Sequence, residues 1–190
     1  MSNSDDIKII DRVLSGDVEA FSHLIEKYQN MIFRYAYSKF NNYDEALDIT
    51  QEIFIMAIEA LSSFRRESKF STWLYSIMVN YCKNYKKKNS RYSVVPLNVT
   101  RGDDEYDLQL PDDRENPEEQ VITDDSLRIV KEEINNLPDD YKDILILRDI
   151  DGLSYNEIVD VLNIKISNVK VRIHRGRELL KNRLYARGLI

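Results

Sequence analysis

The sequence predicts an all-α protein made of two small helical domains joined by an acidic, flexible linker. Apolar residues recur at intervals of three and four over most of the chain, which is the spacing of amphipathic helices. The pattern stops only in a central stretch that holds three of the four prolines and few apolar residues. Five glycines are too few for the many tight turns of a sandwich or barrel. The predicted ranges are 5–91 for the first domain, 92–123 for the linker and 124–185 for the second domain.

The net charge of −6 conceals an uneven distribution of charge along the chain. Residues 64–91 carry a net charge of +7, whereas residues 103–125 carry −10. Residues 165–190 contain eight Lys or Arg and a single Glu. Two basic surfaces on either side of an acidic tether indicate a chain that holds a polyanion at two points.

Three helices are predicted in the first domain. Asp17 is placed to cap a helix with apolar residues at spacings of three and four. A second helix, over residues 42–61, has acids in its first turn, where the helix dipole favours them. A third begins at Ser71 or Thr72 and ends in lysines, the favourable charge at a helix C-terminus.

The helix over residues 42–61 has one apolar and one polar face. At about 100° per residue, the apolar arc consists of Ala46, Leu47, Ile53, Phe54, Ala57, Ile58 and Leu61. The opposite face carries Asp44, Asp48, Gln51, Glu52 and Glu59. Ile55 lies in the middle of this polar face. An isolated exposed isoleucine is common and needs no explanation, but among acids and an amide Ile55 also fits a small docking site for a partner protein.

The segment SSFRRESKFSTWLYS, residues 62–76, mixes cations with aromatic rings. Cations attract phosphates and exposed rings stack on unpaired bases, so this composition is typical of a site for single-stranded nucleic acid. The alternative is that Phe64, Phe70 and Trp73 belong to the core, and for Trp73, on an apolar helix face, the core is the better interpretation. The cationic helix end that follows, NYCKNYKKKNSR, is suited to track a phosphate backbone.

The segment GLSYNEIVDVLNIKISNVKVRIHRGREL predicts a short helix, a tight turn and a longer helix. Ser154 and Glu157 form a capping box, and Asn163 in the turn tolerates the left-handed conformation. The side chains predicted to be buried where the helices cross are Ile158, Val161, Leu162, Ile164, Val169 and Ile173. The longer helix then presents a basic surface, as a recognition helix does in the major groove of DNA. The alternative is a solvated basic helix on an ordinary bundle.

Two long segments of this chain are similar to a known protein family. DEALDITQEIFIMAIEALSSFRRESKFSTWLYSIMVNYCKNYKKK resembles region 2 of the bacterial extracytoplasmic-function (ECF) sigma factors, a subfamily of the sigma-70 family. LPDDYKDILILRDIDGLSYNEIVDVLNIKISNVKVRIHRGREL resembles their region 4. With the N-terminal helices, the resemblance covers nearly the whole chain outside the linker. It implies an alternative-type sigma factor that binds core RNA polymerase and directs it to specific promoters.

The resemblance also implies three groups of site residues. Core RNA polymerase is expected to bind at Asp44, Asp48, Gln51, Glu52 and Ile55. The minus-ten promoter element is expected to contact Phe64, Arg65, Arg66, Ser68, Lys69, Phe70, Ser71, Asn80, Lys83, Lys86, Lys87 and Arg91. The minus-thirty-five element is expected to contact Ser167, Asn168, Lys170, Val171, Arg172, His174 and Arg175. The linker is expected to pass through the polymerase cleft toward the RNA exit path.

The chain departs from the family pattern around the recognition helix. Val159 and Gly176 stand where Ala is usual, and Asn163 replaces a turn glycine. Lys165, a poor cap, replaces a Ser or Thr. Gly176 lowers the stability of the helix by up to ~1 kcal/mol relative to alanine. These differences bear on where the recognition helix begins, and hence on base preference.

Two other classes of function are weighed against this one. A stand-alone transcription regulator with a sensory N-terminal domain accounts for the recognition helix but leaves the loop at 64–71 and the acidic linker without a use. An enzyme is disfavoured, since His23 and His174 each stand alone and Cys82 has no paired base in sequence reach. No catalytic residue, cofactor or metal site is predicted.

The surroundings of the protein are also predicted from the sequence. The N-terminus lacks the basic and apolar regions of a signal peptide, and no stretch of about 18 apolar residues occurs. We therefore expect a cytoplasmic protein without direct membrane insertion. The resemblance adds an anti-sigma factor, often located at the membrane, as an expected partner.

Overall fold

The computed structural model describes residues 3–92 and 128–189, and every regular element in these ranges is a helix, which confirms the predicted all-α class. The linker, predicted over residues 92–123, lies outside the described residues apart from Tyr92. The domain boundaries therefore stay predictions. The first range contains α1 (Asn3–Leu14), α2 (Ser22–Phe40), α3 (Tyr43–Glu59) and α4 (Phe70–Tyr92). The second contains α5 (residues 128–135), α6 (Asp139–Leu145), α7 (Tyr155–Leu162) and α8 (Ile166–Ala186).

Three short turns complete these elements. Val18–Phe21 and Leu61–Ser63 are 3-10 turns that precede α2 and follow α3. Ile146–Ile150 is a π-helical turn that extends α6. None of the helices in the two described ranges combines the length and the apolarity that crossing a membrane requires.

The junction between α2 and α3 is fixed by two asparagines. Asn41 adopts a left-handed conformation, with φ of 51°, and ends α2. The side-chain oxygen of Asn42 accepts a hydrogen bond from the backbone N–H of Glu45 at 3.0 Å, which caps α3. Acidic residues fill the first turn of α3, as predicted.

Two predicted helix starts are wrong. Asp17 does not cap α2, which begins only at Ser22, because the Asp17 carboxylate accepts a charge-assisted hydrogen bond from Arg12 at 2.7 Å instead. Helix α4 begins at Phe70, one residue before the predicted Ser71, and the ring of Phe70 is fully buried, so its packing holds the first turn in place.

The core of the first domain consists of the apolar faces of α1–α4, and burying each large apolar side chain contributes about 1.5–3 kcal/mol. The predicted periodicity accounts for Leu24, Ile32, Tyr35 and Ile53, whereas buried Ile49 was not part of the predicted arc of α3. The side chains with less than 2% of their surface accessible to solvent include Ile10, Leu24, Ile32, Tyr35, Ile49, Ile53, Leu74 and Met78.

The predicted helix-turn-helix is present as α7 and α8. The Ser154 hydroxyl accepts from the Glu157 backbone N–H at 3.3 Å, and the Glu157 carboxylate accepts from the Ser154 N–H at 2.8 Å, which completes the capping box. Asn163 is left-handed, with φ of 50°. Lys165 makes no side-chain cap, and α8 begins at Ile166.

The predicted seam between α7 and α8 is confirmed. Ile158, Val161, Val169 and Ile173 are buried. The other two predicted positions, Leu162 and Ile164, are partly buried and pack against the same core.

Gly176 explains how α6 and α8 come close together. A Cβ atom built on Gly176 would lie 3.2 Å from Cγ of Leu145 on α6, which is tighter than ordinary van der Waals contact. The missing side chain therefore makes room for Leu145, and this close packing offsets the poor helix propensity of glycine.

The two domains pack directly against each other. Helix α7 packs along α4, and the buried apolar side chains of both ranges form one continuous cluster. Polar contacts accompany this packing, and two of the residues predicted to bind DNA, Lys69 and Lys86, take part in them.

We expect Gly176→Val to destabilise the protein, because the added carbons overlap Leu145. Overpacking of this kind costs about 1–3 kcal/mol, and urea unfolding followed by circular dichroism measures the loss. Asn182→Val, at an exposed position of the same helix, is the control and should change stability little. An unchanged unfolding midpoint for Gly176→Val would show that α6 is free to move away.

Candidate nucleic-acid interface

The outer face of α3 exposes all five residues predicted to bind polymerase: Asp44, Asp48, Gln51, Glu52 and Ile55. Half of the surface of Ile55 is accessible to solvent (50%). Leu47 corrects the sequence prediction, since it was assigned to the buried arc but is 38% exposed.

Tyr43 and Met56 are also exposed on α3. Leu47 and Ile55 lie about 80° apart around the helix axis, on the side that also carries Asp44, Asp48, Gln51 and Glu52, and we call this side the α3 face. Met56 lies on the opposite side of α3 from Leu47, and Tyr43 packs on Phe33. Apolar centres with polar rims are typical of protein interfaces. Sequence reasoning found Ile55 but missed the other three, because a residue at the edge of an apolar arc looks the same whether or not a neighbour covers it.

The aromatic residues of the 62–76 loop lie mainly in the core. Phe64 is 7% exposed and Phe70 is fully buried, and their ring centroids lie 5.8 Å apart. Trp73, partly buried, packs on both. The rings of Phe64 and Phe70, predicted to contact the minus-ten element, therefore offer no face to a base in this arrangement. Their spacing fitted both interpretations, and the structure favours the core.

The polar residues of this loop are more accessible. Arg65 and Arg66 are exposed and Ser68 and Ser71 are partly buried. Arg66 has a left-handed backbone, with φ of 62°, and its guanidinium pairs with Asp11 on α1. A non-glycine residue rarely adopts this conformation, so the loop is held in a defined shape by its contact with α1.

The cationic end of α4 continues this surface. Asn80, Lys83, Lys86 and Lys87 are exposed. The side chain of Arg91, also predicted to contact DNA, lies outside the described residues although its backbone belongs to α4. With Arg65 and Lys69, these residues provide the positive charge that a phosphate backbone requires.

Two of these cations already have partners in the second domain. Lys86 Nζ lies 2.6 Å from Asp139 on α6, and Lys69 Nζ lies 2.8 Å from Glu157 on α7. The hydrogen bond from Lys69 lowers the pKa of Glu157 to about 2, against the opposing effect of burial. The pKa of Asp139 is also lowered: burial opposes the shift, but the bond from Lys86 and the charge of Lys39 outweigh it.

The recognition helix α8 exposes six of the seven residues predicted to contact the minus-thirty-five element: Ser167, Asn168, Lys170, Val171, His174 and Arg175. The seventh, Arg172, is half-buried and lies 3.3 Å from Asp140 on α6.

Other cations of the basic C-terminal segment are neutralised within the second domain. Arg177 donates to Asp149 at 3.1 Å, and Arg187 pairs with Glu133 at 2.9 Å. In the part of the chain that the structure describes, no ion pair involves Lys170 or Arg175. Lys165 and Lys181 are likewise exposed and make no ion pair within the described ranges. Unpaired charge therefore extends along α8 and includes its first half, where a recognition helix contacts DNA.

The two histidines and the cysteine do not come together in the described ranges. His23 and His174 are exposed and lie in different domains. Cys82 is buried, and burial raises the pKa of its thiol to about 12, so the reactive thiolate is absent near neutral pH. Among the described residues no group of three His, Cys, Asp or Glu is arranged to hold a metal ion.

Comparison with known families agrees with this arrangement of two helical domains, each with an exposed basic surface. The model of Sigma-70 region 2 matches residues 24–92, and that of Sigma-70 region 4 matches residues 127–180. The ECF RNA polymerase sigma factor SigW of Bacillus subtilis is 38% identical over 179 residues, covering 93% of this chain and 95% of that protein. The ECF RNA polymerase sigma-E factor of Haemophilus influenzae is 34% identical over 180 residues, covering 94% and 95%. The chain therefore belongs to the ECF subfamily of sigma-70 factors, the proteins that direct RNA polymerase to promoters.

A solved structure shares the fold. The sigma factor RpoE from Bartonella quintana, in complex with the anti-sigma factor NepR, superposes with a TM-score of 0.65 at 22% identity, covering 87% of this chain and 96% of that chain. At this identity the likeness supports the two-domain helical fold alone.

We expect Glu157→Gln to flatten the pH dependence of stability between about pH 4.5 and 2. Because the pKa of Glu157 is lowered, its stabilising contribution is complete above its usual value of 4.5 and is lost as the pH falls toward about 2. Glutamine keeps the capping box, so only the charge is removed.

Melting temperatures measured across that range test this prediction. The wild type should fall more steeply than Glu157→Gln, and the control Glu59→Gln, at an exposed position of α3, should follow the wild type. Parallel profiles for the wild type and Glu157→Gln would contradict the role of the Lys69 pair.

Proposed function

We propose that this sigma factor docks on core RNA polymerase through the α3 face, captures the minus-ten element with the 64–71 loop and the end of α4, and reads the minus-thirty-five element with α8. One observation carries this proposal. Each of the two domains that match the family has an exposed basic surface, and the α3 face, which is apolar and acidic, is separate from both.

The α3 face is suited to a protein partner rather than to DNA. Its charged groups, Asp44, Asp48 and Glu52, are all acidic and would repel phosphates. Exposed Leu47 and Ile55 supply the apolar centre, and acids at the rim favour a partner with basic residues around an apolar patch.

The minus-ten surface is proposed to act mainly through charge. Arg65, Lys69, Lys83 and Lys86 hold the phosphates, and Asn80 lies exposed between them as a hydrogen-bonding group. Because the rings of Phe64 and Phe70 are buried, they support the shape of the loop, and base stacking is not assigned to them.

The minus-thirty-five surface is proposed to combine two kinds of contact. Lys170 and Arg175 reach base edges from the exposed side of α8. The surface between them is filled by Ser167, Asn168, Val171 and His174. Lys181, exposed and further along the helix, meets phosphates. A lost base contact costs about 1–3 kcal/mol and relaxes sequence preference, whereas a lost phosphate contact weakens all sequences about equally.

Regulation by an anti-sigma factor is proposed from family membership. The expected setting is the cytoplasm, where the partner silences the chain and in some cases holds it at the membrane. The chain itself performs no catalytic step in this proposal; the polymerase does.

Transcription by purified core polymerase tests the proposed function directly. Run-off products that form only when this chain is added would support the proposal. If no genomic promoter fragment gave such products, the proposal would be contradicted.

We expect Asp48→Arg to weaken binding of core polymerase about tenfold or more, because it places a cation where the partner is expected to be basic. Helix content and melting temperature should stay close to wild type, since the side chain is exposed. Glu26→Arg, the same charge reversal on an exposed position of α2, is the control and should bind normally. Equal loss for both variants would argue against a docking site on α3.

We expect Arg175→Ala to reduce the discrimination between native and substituted minus-thirty-five elements, whereas Lys181→Ala should lower all affinities by a similar factor. Promoter binding by reconstituted holoenzyme, measured over a small set of substituted elements, distinguishes the two effects. A uniform loss for Arg175→Ala would mean that α8 enters the groove differently or does not enter it.

A further inference from the structure

Helix α1 contacts the 64–71 loop although it lies outside the residues that match the model of Sigma-70 region 2, which begin at residue 24. In the middle of the loop, the guanidinium of Arg66 pairs with the carboxylate of Asp11 on α1. The two residues are 55 positions apart in sequence, so the pair does not close a local turn. It ties the loop to a helix that the minus-ten surface does not include.

Helix α1 is a firm support because it is anchored in the core of the first domain. The Asp6 carboxylate is buried, accepts a hydrogen bond from the Tyr28 hydroxyl at 2.6 Å and pairs with Lys27 on α2. Ile10 is buried as well. A buried carboxylate without such partners would be costly, so α1 is held in one position on α2, and the backbone of Asp11 is held with it.

The two ends of the loop are fixed by aromatic packing. The buried rings of Phe64 and Phe70 meet, and the ring of Phe70 also lies 5.6 Å from that of Tyr28. The backbone N–H of Phe70 donates to the side-chain oxygen of Asn3 on α1 at 3.4 Å. Between these ends, residues 65–69 are neither helix nor strand, so the shape of this part depends on individual contacts.

Arg66 gives the loop its turn. Its φ of 62° lies in the left-handed region, which is unfavourable for a residue with a Cβ atom because Cβ comes too close to the following carbonyl oxygen. Rotation of Arg66 out of this region would change the position of Arg65 relative to Ser68 and Lys69. A strained residue persists only when its surroundings hold it, and Asp11 is the group that holds the side chain of Arg66.

The pair also separates the roles of the two arginines in the loop. The guanidinium of Arg66 is neutralised by Asp11, whereas exposed Arg65 has no ion-pair partner among the described residues. The charge that is free to meet a phosphate is therefore at Arg65, and Arg66 supplies backbone geometry.

We propose that α1 is a brace for the minus-ten surface, with Asp11 as its positioning residue: by holding Arg66 in the left-handed turn, Asp11 sets the loop shape that distinguishes one minus-ten sequence from another. Asp11 itself touches no nucleic acid. The link to the minus-ten element rests on the proposed function, whereas the support of the loop by α1 does not. Exposed ion pairs contribute little to overall stability, so the effect is expected in recognition rather than in melting temperature.

Asp11→Asn tests the brace without DNA, because it removes the charge and keeps the size of the side chain. Glutamyl endopeptidase cleaves after Glu67, the only glutamate of the loop and an exposed one, and mass spectrometry of the digested full chain identifies that cut. Cleavage at Glu67 should become about two- to fivefold faster than in the wild type, the factor that one exposed ion pair is worth. The melting temperature should stay close to the wild-type value.

Asp17→Asn is the matched control. Asp17 and Arg12 form another exposed pair of an aspartate with an arginine, at 2.7 Å, but this pair joins α1 only to the turn that follows it. The same chemical change is thus made once toward the loop and once away from it, and Asp17→Asn should leave cleavage at Glu67 unchanged. Equal acceleration by both variants, or none by Asp11→Asn, overturns the proposal.

Reconstituted holoenzyme tests the link to recognition. Binding is measured on a promoter fragment that yields a run-off product with the wild-type chain, and on copies with single substitutions in its minus-ten element. Asp11→Asn should lower the ratio of native to substituted affinity about two- to fivefold, whereas Asp17→Asn should keep it. The double variant Asp11→Arg with Arg66→Asp restores the pair with its charges exchanged and should recover the ratio. Tighter binding of every sequence by Asp11→Asn would mean that Arg66 is a phosphate contact and would overturn the proposal.

Arg66→Gly and Arg66→Ala separate the backbone role from a direct contact. Both remove the guanidinium, but glycine adopts the left-handed conformation without the steric penalty that alanine meets. Arg66→Gly should therefore discriminate between minus-ten sequences about fivefold better than Arg66→Ala. Equal losses in the two variants would show that Arg66 acts through its side chain on DNA, against the proposal.

Failure of the proposed function would give a different result. If the wild type does not distinguish minus-ten substitutions, that function is contradicted, and cleavage at Glu67 still decides whether α1 supports the loop. Faster cleavage of Asp11→Asn with an unchanged affinity ratio would overturn the assignment of Asp11 to recognition.

Discussion

The pairing of Asp143 with Tyr35 and Lys39 is the contact on which the arrangement of the two domains depends. It links residues 108 positions apart in sequence and leaves none of its charges exposed to water. A different register between the domains would bury the carboxylate without a partner, at a cost of several kcal/mol. Asp151 of the second domain, whose side chain is 7% exposed and lies 3.6 Å from Arg34 of α2, adds a second fixed point, so that the angle between the domains is determined as well as their proximity.

The distribution of unpaired charge then follows from which acids lie nearby. Counting cations suggests that the whole C-terminal segment faces nucleic acid, but Arg177 and Arg187 are neutralised by acids of their own domain. Among the described residues, the cations of this segment without an ion pair are Lys165, Lys170, Arg175 and Lys181. An ion pair inside the domain thus does two things: it stabilises the packing of α8 on its neighbours and it restricts where an external polyanion is attracted.

Local features were predicted well because their causes lie within a few residues. The capping box of Ser154 and Glu157 and the left-handed Asn163 needed only short-range geometry. Errors arose where distant residues compete. Arg12 forms an ion pair with Asp17, which therefore does not cap a helix. The periodicity of α3 does not reveal that Leu47 is left uncovered by the other helices. The contact between Tyr35 and Asp143 could not be predicted, since nothing in a helical pattern tells which faces of two domains meet.

The different depths of the interdomain charges have a consequence for ionic strength. Lys69 and Lys86 are 59% and 53% exposed, so added salt screens their pairs over a Debye length of about 8 Å at physiological strength. The pair of Lys39 with Asp143 is shielded from salt by its burial. Rising ionic strength therefore weakens the pairs of Lys69 and Lys86 first and leaves the buried pair of Lys39 and Asp143 in place.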